Sequence, residues 1–193
     1  MNNYYYIVAS LPAIAQDWKF GDITAESIVG EIKERSTPAD LAVIDFIESG
    51  FADGGLNEDF YRKAISHKLP FIREYYTFDL NVRNAKVRFL NKALGREADK
   101  DEIDIDTGEF EDAAAVDSIL DGKDILGREK ALDDLYWEKL DSMTVHHYFD
   151  MDVILAFIFK LHIIDRWHKL DEQRGREMFK KLVDEIIDNK KQI

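Results

Sequence analysis

The sequence predicts an all-α fold, a multi-helix bundle, and three observations lead to that prediction. Apolar residues recur along most of the chain at about the 3.6-residue period of a helix. Prolines, which break helices, occur only at positions 12, 38 and 70 of 193 residues. Hydrophobic residues make up 46% of the chain, which is enough to bury a core. We therefore expect a single helical domain over residues 1–193.

The opening segment YYYIVAS, residues 4–10, leaves two alternatives open. Its aromatic and β-branched residues favour a short strand, whereas its length fits the first turns of a helix equally well. After a turn at Gly21, Thr24 has the side chain of an N-cap, with Ser27 three residues later. A helix is therefore predicted to begin after Thr24 and to run to about Glu34.

Two further N-caps precede the next helices. Thr37 with Pro38 predicts an N-cap and a first helical residue, because the fixed φ of proline suits the first turn of a helix. That helix is predicted to end at Gly50. After the loop FADGGLN, Asn57 is the predicted cap of the helix EDFYRKAISHK, residues 58–68.

A long helix starting near Pro70 contains the stretch 75–95, in which apolar residues fall on two lines. The first line comprises Phe78, Val82, Ala85, Phe89 and Ala93. The second comprises Leu80, Val87, Leu90 and Leu94. Because each line needs a neighbour to cover it, the helix is predicted to be an interior element of the bundle.

Two polar seams run between these apolar lines. One contains Asn81, Asn84, Arg88 and Asn91, and the other contains Asp79, Arg83 and Lys86. On one interpretation the seams reach solvent, and Asp79 with Arg83 and Asn84 with Arg88 form ordinary i, i+4 pairs. On the other interpretation, the seam of Asn and Arg side chains caps an adjacent loop or meets another subunit.

Between Glu97 and Asp124 the chain carries twelve acidic residues against two lysines. This run predicts an acidic loop at about 97–110 between an N-terminal and a C-terminal helical half, followed by a short helix at about 111–120. Three more helices are predicted near 124–142, 149–168 and 171–188. A gap of about two residues between the last two favours an antiparallel hairpin.

Composition limits the classes of partner. With 26 basic and 39 acidic residues the formal charge is −13, so the surface repels phosphate backbones and anionic headgroups. We expect no nucleic-acid partner and no direct membrane insertion, because the apolar run 151–164 is shorter than the roughly 20 residues of a spanning helix. The absence of cysteine suits a reducing compartment, and the cytoplasm is the expected location.

The sequence motifs do not indicate an enzyme, and none of them predicts a cofactor. GKD at 122–124 lacks the Ser or Thr and the upstream glycine of a phosphate-binding loop. In a calcium-loop register set by Gly108, the first ligand positions fall on Ile103 and Ile105. An alternative is a small metal-dependent helical enzyme, which would use His146, Asp150, Asp165 and His168. The second carboxylate and histidine pair that a di-metal bundle needs is missing, so we expect no metal.

The segment from Val153 to Phe159 is apolar at every position. Such a helix is either buried all round or presents one face to a partner. The simplest interpretation is a buried core helix, and the class that the residues favour is a non-enzymatic interaction module.

Three segments together resemble a known family: YYYIVASLP at the start, FDLNVRNAKVRFLNKALG in the middle, and DMDVILAFIFKLHIIDRWHKLDEQRGREMFKKLV near the end. They resemble a bacterial domain family of unknown function that is encoded with V-type ATPase genes. That family is similar to a shortened form of the C subunit of V/A-type ATPases, which is named d in eukaryotes. The C subunit is a helical, non-catalytic socket between the membrane rotor ring and the central shaft.

The resemblance implies a connector or accessory factor that supports proton or sodium transport. Its partners would be central-stalk and rotor-ring subunits, and it would lie on the cytoplasmic side, peripheral to the inner membrane. Chains of the C subunit have an Asn, a Lys and a Gly that match Asn84, Lys92 and Gly95, whereas Leu90 stands where they have an arginine.

The residues and the resemblance together assign a protein interface to four side chains of this stretch: Asn81, Asn84, Arg88 and Lys92. The remaining alternative is a free-standing helical adaptor unrelated to ATPases.

Overall fold

The computed structural model describes residues 3–170 and Gly175, and the regular structure of this part is helical throughout. Its elements, in chain order, are α1 (Tyr4–Ser10), α2 (Ala25–Glu34), α3 (Pro38–Phe51), α4 (Glu58–Ile65), α5 (Pro70–Ala93), α6 (Ala113–Leu120), α7 (Ile125–Thr144) and α8 (Met151–Lys169). The all-α prediction is confirmed. The helix predicted over 171–188, and the hairpin it would form, lie outside the described residues.

The opening segment, for which a strand and a helix were both open, is the helix α1. Its central residue Ile7 is 1% exposed and packs in the main core, whereas Tyr5 and Tyr6 are 59% and 69% exposed. Strands bury every second residue, and a strand also needs a paired neighbour. No strand occurs in the described residues that could pair with this one, so the strand alternative is wrong.

The predicted N-caps are confirmed by their hydrogen bonds. Thr24 and Ser27 bond reciprocally, each hydroxyl accepting from the other residue's backbone N–H at 3.1 Å. The hydroxyl of Thr37 accepts from the N–H of Asp40, and the Asn57 side chain accepts from Phe60 at 3.0 Å. These bonds satisfy N–H groups that lack a partner within their own helix.

Gly50 does not end its helix, because α3 continues to Phe51. The glycine is needed for close packing instead: a Cβ built there would lie 2.8 Å from the Phe60 ring. α4 is also shorter than predicted and ends at Ile65.

The main core contains residues of α1–α5, α7 and α8. The apolar segment of α8 lies at its centre, since every residue from Ile154 to Phe159 is buried. The interpretation of this segment as a buried core helix is therefore confirmed. Among the described residues, no helix is sufficiently long and apolar to span a bilayer.

A smaller core joins α5, α6 and α7 through Phe78, Val82, Ala85, Val116, Leu120 and Leu132. It covers most of the first apolar line of α5, as predicted. The second line is covered only in part: Leu80 is fully buried, whereas Leu90 and Leu94 are 54% and 64% exposed. α5 is thus an interior helix in its N-terminal half and a surface helix at its C-terminal end.

Candidate functional site

The middle of the polar seam on α5 is joined to the acidic loop, residues 97–110. The Asn84 side chain donates to the carbonyl of Ile103 at 3.0 Å and accepts from the N–H of the same residue at 3.1 Å. Asn84 is only 8% exposed. One amide side chain therefore satisfies both backbone groups of a loop residue, as a neighbouring strand would.

Two further side chains of the seam, those of Asn91 and Asn81, hold other parts of this loop. The Asn91 amide donates to the carbonyls of Ala98 and Lys100. The hydroxyl of Thr107 donates to Asn81 at 2.8 Å. These bonds fix the loop on both sides of Ile103.

Arg88 completes the seam through an ion pair with Glu102 at 2.9 Å. In the part of the chain that the structure describes, neither Asp79 with Arg83 nor Asn84 with Arg88 forms the expected i, i+4 pair. Asn84 bonds the backbone of the loop instead, and Asp79 accepts from the hydroxyls of Tyr61 and Tyr136. The loop-capping interpretation is confirmed, and contact of this seam with another subunit stays a prediction.

α5 ends in an exposed apolar surface next to this loop. Gly95 follows the helix with φ of +65°, a conformation that favours glycine, and turns the chain towards the loop. Arg128 of α7 lies 5.1 Å from the Phe89 ring centroid, so the start of α7 lies beside the end of α5. We call Leu90, Leu94, Ile125 and Leu126 the aliphatic end. Their exposed fractions are 54%, 64%, 70% and 59%.

Lys92, the fourth residue of the predicted interface, is exposed on the last turn of α5. Its side chain makes no hydrogen bond or ion pair within residues 3–170. Of the four predicted interface residues, Asn84 is therefore occupied inside the chain, Asn81 and Arg88 hold the loop, and Lys92 is free to meet a partner.

A second exposed apolar surface lies where α1 meets the junction of α7 and α8. The Tyr5 and Phe149 rings are 4.8 Å apart, and Tyr6 packs edge-on against Tyr5. We call Tyr5, Tyr6, Val145, Tyr148 and Phe149 the aromatic end, and all five are at least half exposed. Exposed tyrosine and phenylalanine clustered in this way are typical of protein interfaces.

The two ends lie at opposite ends of α7. Ile125 is the first residue of that helix and Val145 is its C-cap. A helix of 20 residues is about 30 Å long at 1.5 Å per residue. Each end is therefore accessible to a separate partner.

The residues of the metal-enzyme alternative do not form one site. Asp150 caps α8 and contacts His147 at 2.6 Å, which raises the pKa of that histidine. Asp165 pairs with Lys169, and His168 packs on the Phe20 ring. Asp165 lies fifteen positions after Asp150, which corresponds to about 22 Å along the helix. The described residues contain no group of three potential ligands that could hold a metal ion.

The C-terminal half of the chain matches the model of a known family. Residues 96–190, just under half of the chain, match a family described as "Protein of unknown function (DUF2764)". The match includes the acidic loop and helices α6–α8. No curated protein and no solved structure matches the chain. The family has no described function, as the resemblance in the sequence implied, and its description does not mention an ATPase.

Proposed function

We propose that this protein is a non-catalytic connector or accessory factor of a V-type ATPase that joins central-stalk and rotor-ring subunits. The observation that supports this best is the pair of exposed apolar ends about 30 Å apart on α7. A connector needs two separate docking surfaces and a stiff element between them, and α7 with its neighbours meets both requirements.

The two ends differ in chemistry, which favours two different partners. One end is built from leucine and isoleucine side chains, and the other mainly from tyrosine and phenylalanine rings. Single exposed apolar residues are ordinary, whereas clusters such as the rings of Tyr5, Tyr6 and Phe149 mark interaction surfaces. Tyrosines also bring hydroxyl groups that bond to a partner at the rim of an interface.

The middle of α7 is held firmly by the rest of the fold. Leu132 and Leu140 are at most 2% exposed. Asp133 accepts bonds from Arg166 and from the Trp167 ring N–H of α8. Since packed interiors resist compression and bending, a force applied at one end is transmitted to the other.

The assignment to a V-type ATPase comes from the resemblance of three segments to the family encoded with its genes. The charge of −13 agrees with such a role, since an acidic surface would seek basic patches on the shaft or on ring loops. Among the described residues, the acidic loop that α5 holds has the highest density of acidic side chains. Added salt should therefore lower the rate of association with the ATPase before it affects the rate of dissociation.

Co-purification with the ATPase tests the proposal. Tagged protein should recover ATPase subunits, and Leu94→Ser should weaken recovery of one set while Tyr148→Ser weakens recovery of another. Ile23→Ser is the matched control, because Ile23 is an exposed apolar residue outside both ends. Recovery of an intact rotor and head without this protein would count heavily against the proposal. Recovery of unrelated proteins only would identify a free-standing adaptor.

A further inference from the structure

A cavity of about 630 Å³ lies among α2, α3, α5, α7 and α8. It is distinct from both apolar ends of α7. Its apolar wall includes Val29, Phe51, Leu132, Phe159 and Ile163. The volume falls within the range of about 300 to 1,000 Å³ that is usual for small-molecule sites. A few polar groups on such a wall determine which ligand it accepts.

The charged groups around this cavity are paired with one another, with one exception. Six carboxylates line it, and five of them contact a Lys, Arg or His side chain of the same lining. The pairs are Glu48 with His162, Glu129 with Lys86, Asp133 with Arg166, and Asp165 and Glu26 with Lys169. Every Lys, Arg and His of the lining is therefore already engaged.

The exception is Asp79 of α5. Its carboxylate accepts hydrogen bonds from the hydroxyls of Tyr61 at 2.5 Å and Tyr136 at 2.7 Å, which are neutral donors. Within the described part of the chain, no Lys, Arg or His nitrogen forms an ion pair with it. Burial raises the pKa of Asp79, because the two phenols and the more distant Arg83 and Lys86 do not compensate for lost water.

We propose that this cavity binds a small organic ammonium ion with an apolar body. The ammonium group lies beside the Asp79 carboxylate, where it supplies the missing counter-ion. Tyr75 and Tyr136 line the same cavity, and tyrosine is one of the residue types that attract cations through their rings. The apolar body of the ligand packs against Phe51 and Phe159.

Other classes of ligand fit less well. A calcium or magnesium ion needs several oxygen ligands, whereas Asp79 is the one carboxylate of the lining that no Lys, Arg or His side chain contacts, and both its oxygens accept from phenols. An anion would meet six carboxylates against three lysine and arginine side chains. A neutral apolar molecule would leave Asp79 without a counter-ion.

Calorimetry on the full chain with 3-phenylpropylammonium as the probe tests the proposal. The neutral 3-phenylpropanol and the anionic 3-phenylpropanoate have the same apolar body and serve as matched ligands. At about 0.15 M salt, which screens attraction to the acidic surface, the amine should bind at one saturable site. The alcohol should bind at least about tenfold more weakly, and the acid should not bind measurably.

Two variants locate the site. Asp79→Asn should weaken amine binding at least about tenfold, whereas Asp141→Asn, the same change at an exposed position outside the cavity, should leave it unchanged. Val29→Phe keeps Asp79 but fills the cavity, and it should also abolish binding, so the test does not depend on the folding of one variant. Any one of three results would overturn the proposal. The amine and the alcohol could bind equally well, amine binding could survive both Asp79→Asn and Val29→Phe, or the amine could fail to bind at millimolar concentration.

Discussion

Asn84 and Asp79 lie five residues apart on α5 and were assigned to the two polar seams of the same stretch. Their environments differ. The Asn84 amide has both a donor group and an acceptor oxygen, and the backbone of Ile103 pairs with each of them. Asp79 is a carboxylate with acceptors alone, and two neutral phenols satisfy it without supplying a positive charge.

The difference separates a structural polar group from one that is available for binding. A neutral amide that is paired inside the chain has no net charge with which to attract an ionic ligand. A carboxylate that is shielded from water and has no counter-ion still gains from a cation, and the two phenols leave part of its acceptor capacity unused. The following predictions test this distinction, starting from the largest expected effect.

Replacement of Asn84 by Ala should have the largest effect on stability. It leaves the N–H of Ile103 without a partner, which costs about 1 to 3 kcal/mol when that group is shielded from water, and it removes one of the two hydrogen bonds to the Ile103 carbonyl, which is worth about 0.5 to 1.5 kcal/mol. We expect the free energy of unfolding in urea to fall by about 2 to 4 kcal/mol, with faster proteolysis inside the acidic loop. An unchanged free energy would show that the loop is not fixed by this amide.

Replacement of Tyr136 by Phe removes one of the two phenols from Asp79. A hydrogen bond to a charged group contributes about 1.5 to 3 kcal/mol, so we expect a loss of that size in the free energy of unfolding near neutral pH. The loss should shrink at acidic pH, where Asp79 is protonated and accepts more weakly. A loss that does not depend on pH would indicate that Tyr136 acts through packing alone.

Asp79→Asn should change how stability depends on pH. Burial raises the pKa of Asp79 in the folded state above its value in the unfolded chain. The wild-type protein therefore loses stability as pH rises from the unfolded pKa through the folded pKa, because the folded state holds the proton more tightly. Asparagine does not titrate, so the stability of the variant relative to wild type should increase with pH in urea unfolding series.

Arg88→Ala should have the smallest effect. The Arg88 side chain is 48% exposed, and its pair with Glu102 is open to solvent on the arginine side. Such pairs contribute about 0.2 to 1 kcal/mol, and salt weakens them. We expect a loss at the low end of that range in urea unfolding, with none at high salt. A loss as large as that of Asn84→Ala would mean that charge, and not the amide, holds the loop.

Local signals were sufficient to predict much of the fold. Thr24, Thr37 and Asn57 were identified as caps because an N-cap depends on residues within one turn of it. The acidic loop was located by its charge, which keeps the chain in contact with water.

Long-range partners were not predictable in the same way. The phenols that hold Asp79 belong to Tyr61 and Tyr136, which are 18 and 57 residues away in sequence. The residues near Asp79 in sequence suggest Arg83, four positions later, as its partner. They give no indication that two distant tyrosines bond to it. Leu90 and Leu94 were expected to be covered by a neighbouring helix, and they are exposed. The spacing of apolar residues along a helix is the same whether or not a neighbour covers them, so the sequence could not reveal this.

Site-specific crosslinking in cells tests the central claim, that the two ends of α7 dock different subunits of a V-type ATPase. A photoreactive residue would replace Tyr148 at the aromatic end in one variant and Leu94 at the aliphatic end in another, with Ile23 as the control position. We predict that the first two positions each crosslink to an ATPase subunit, that the two subunits differ, and that the control crosslinks to neither. Crosslinks from both ends to one partner, or to no ATPase subunit, would contradict the account.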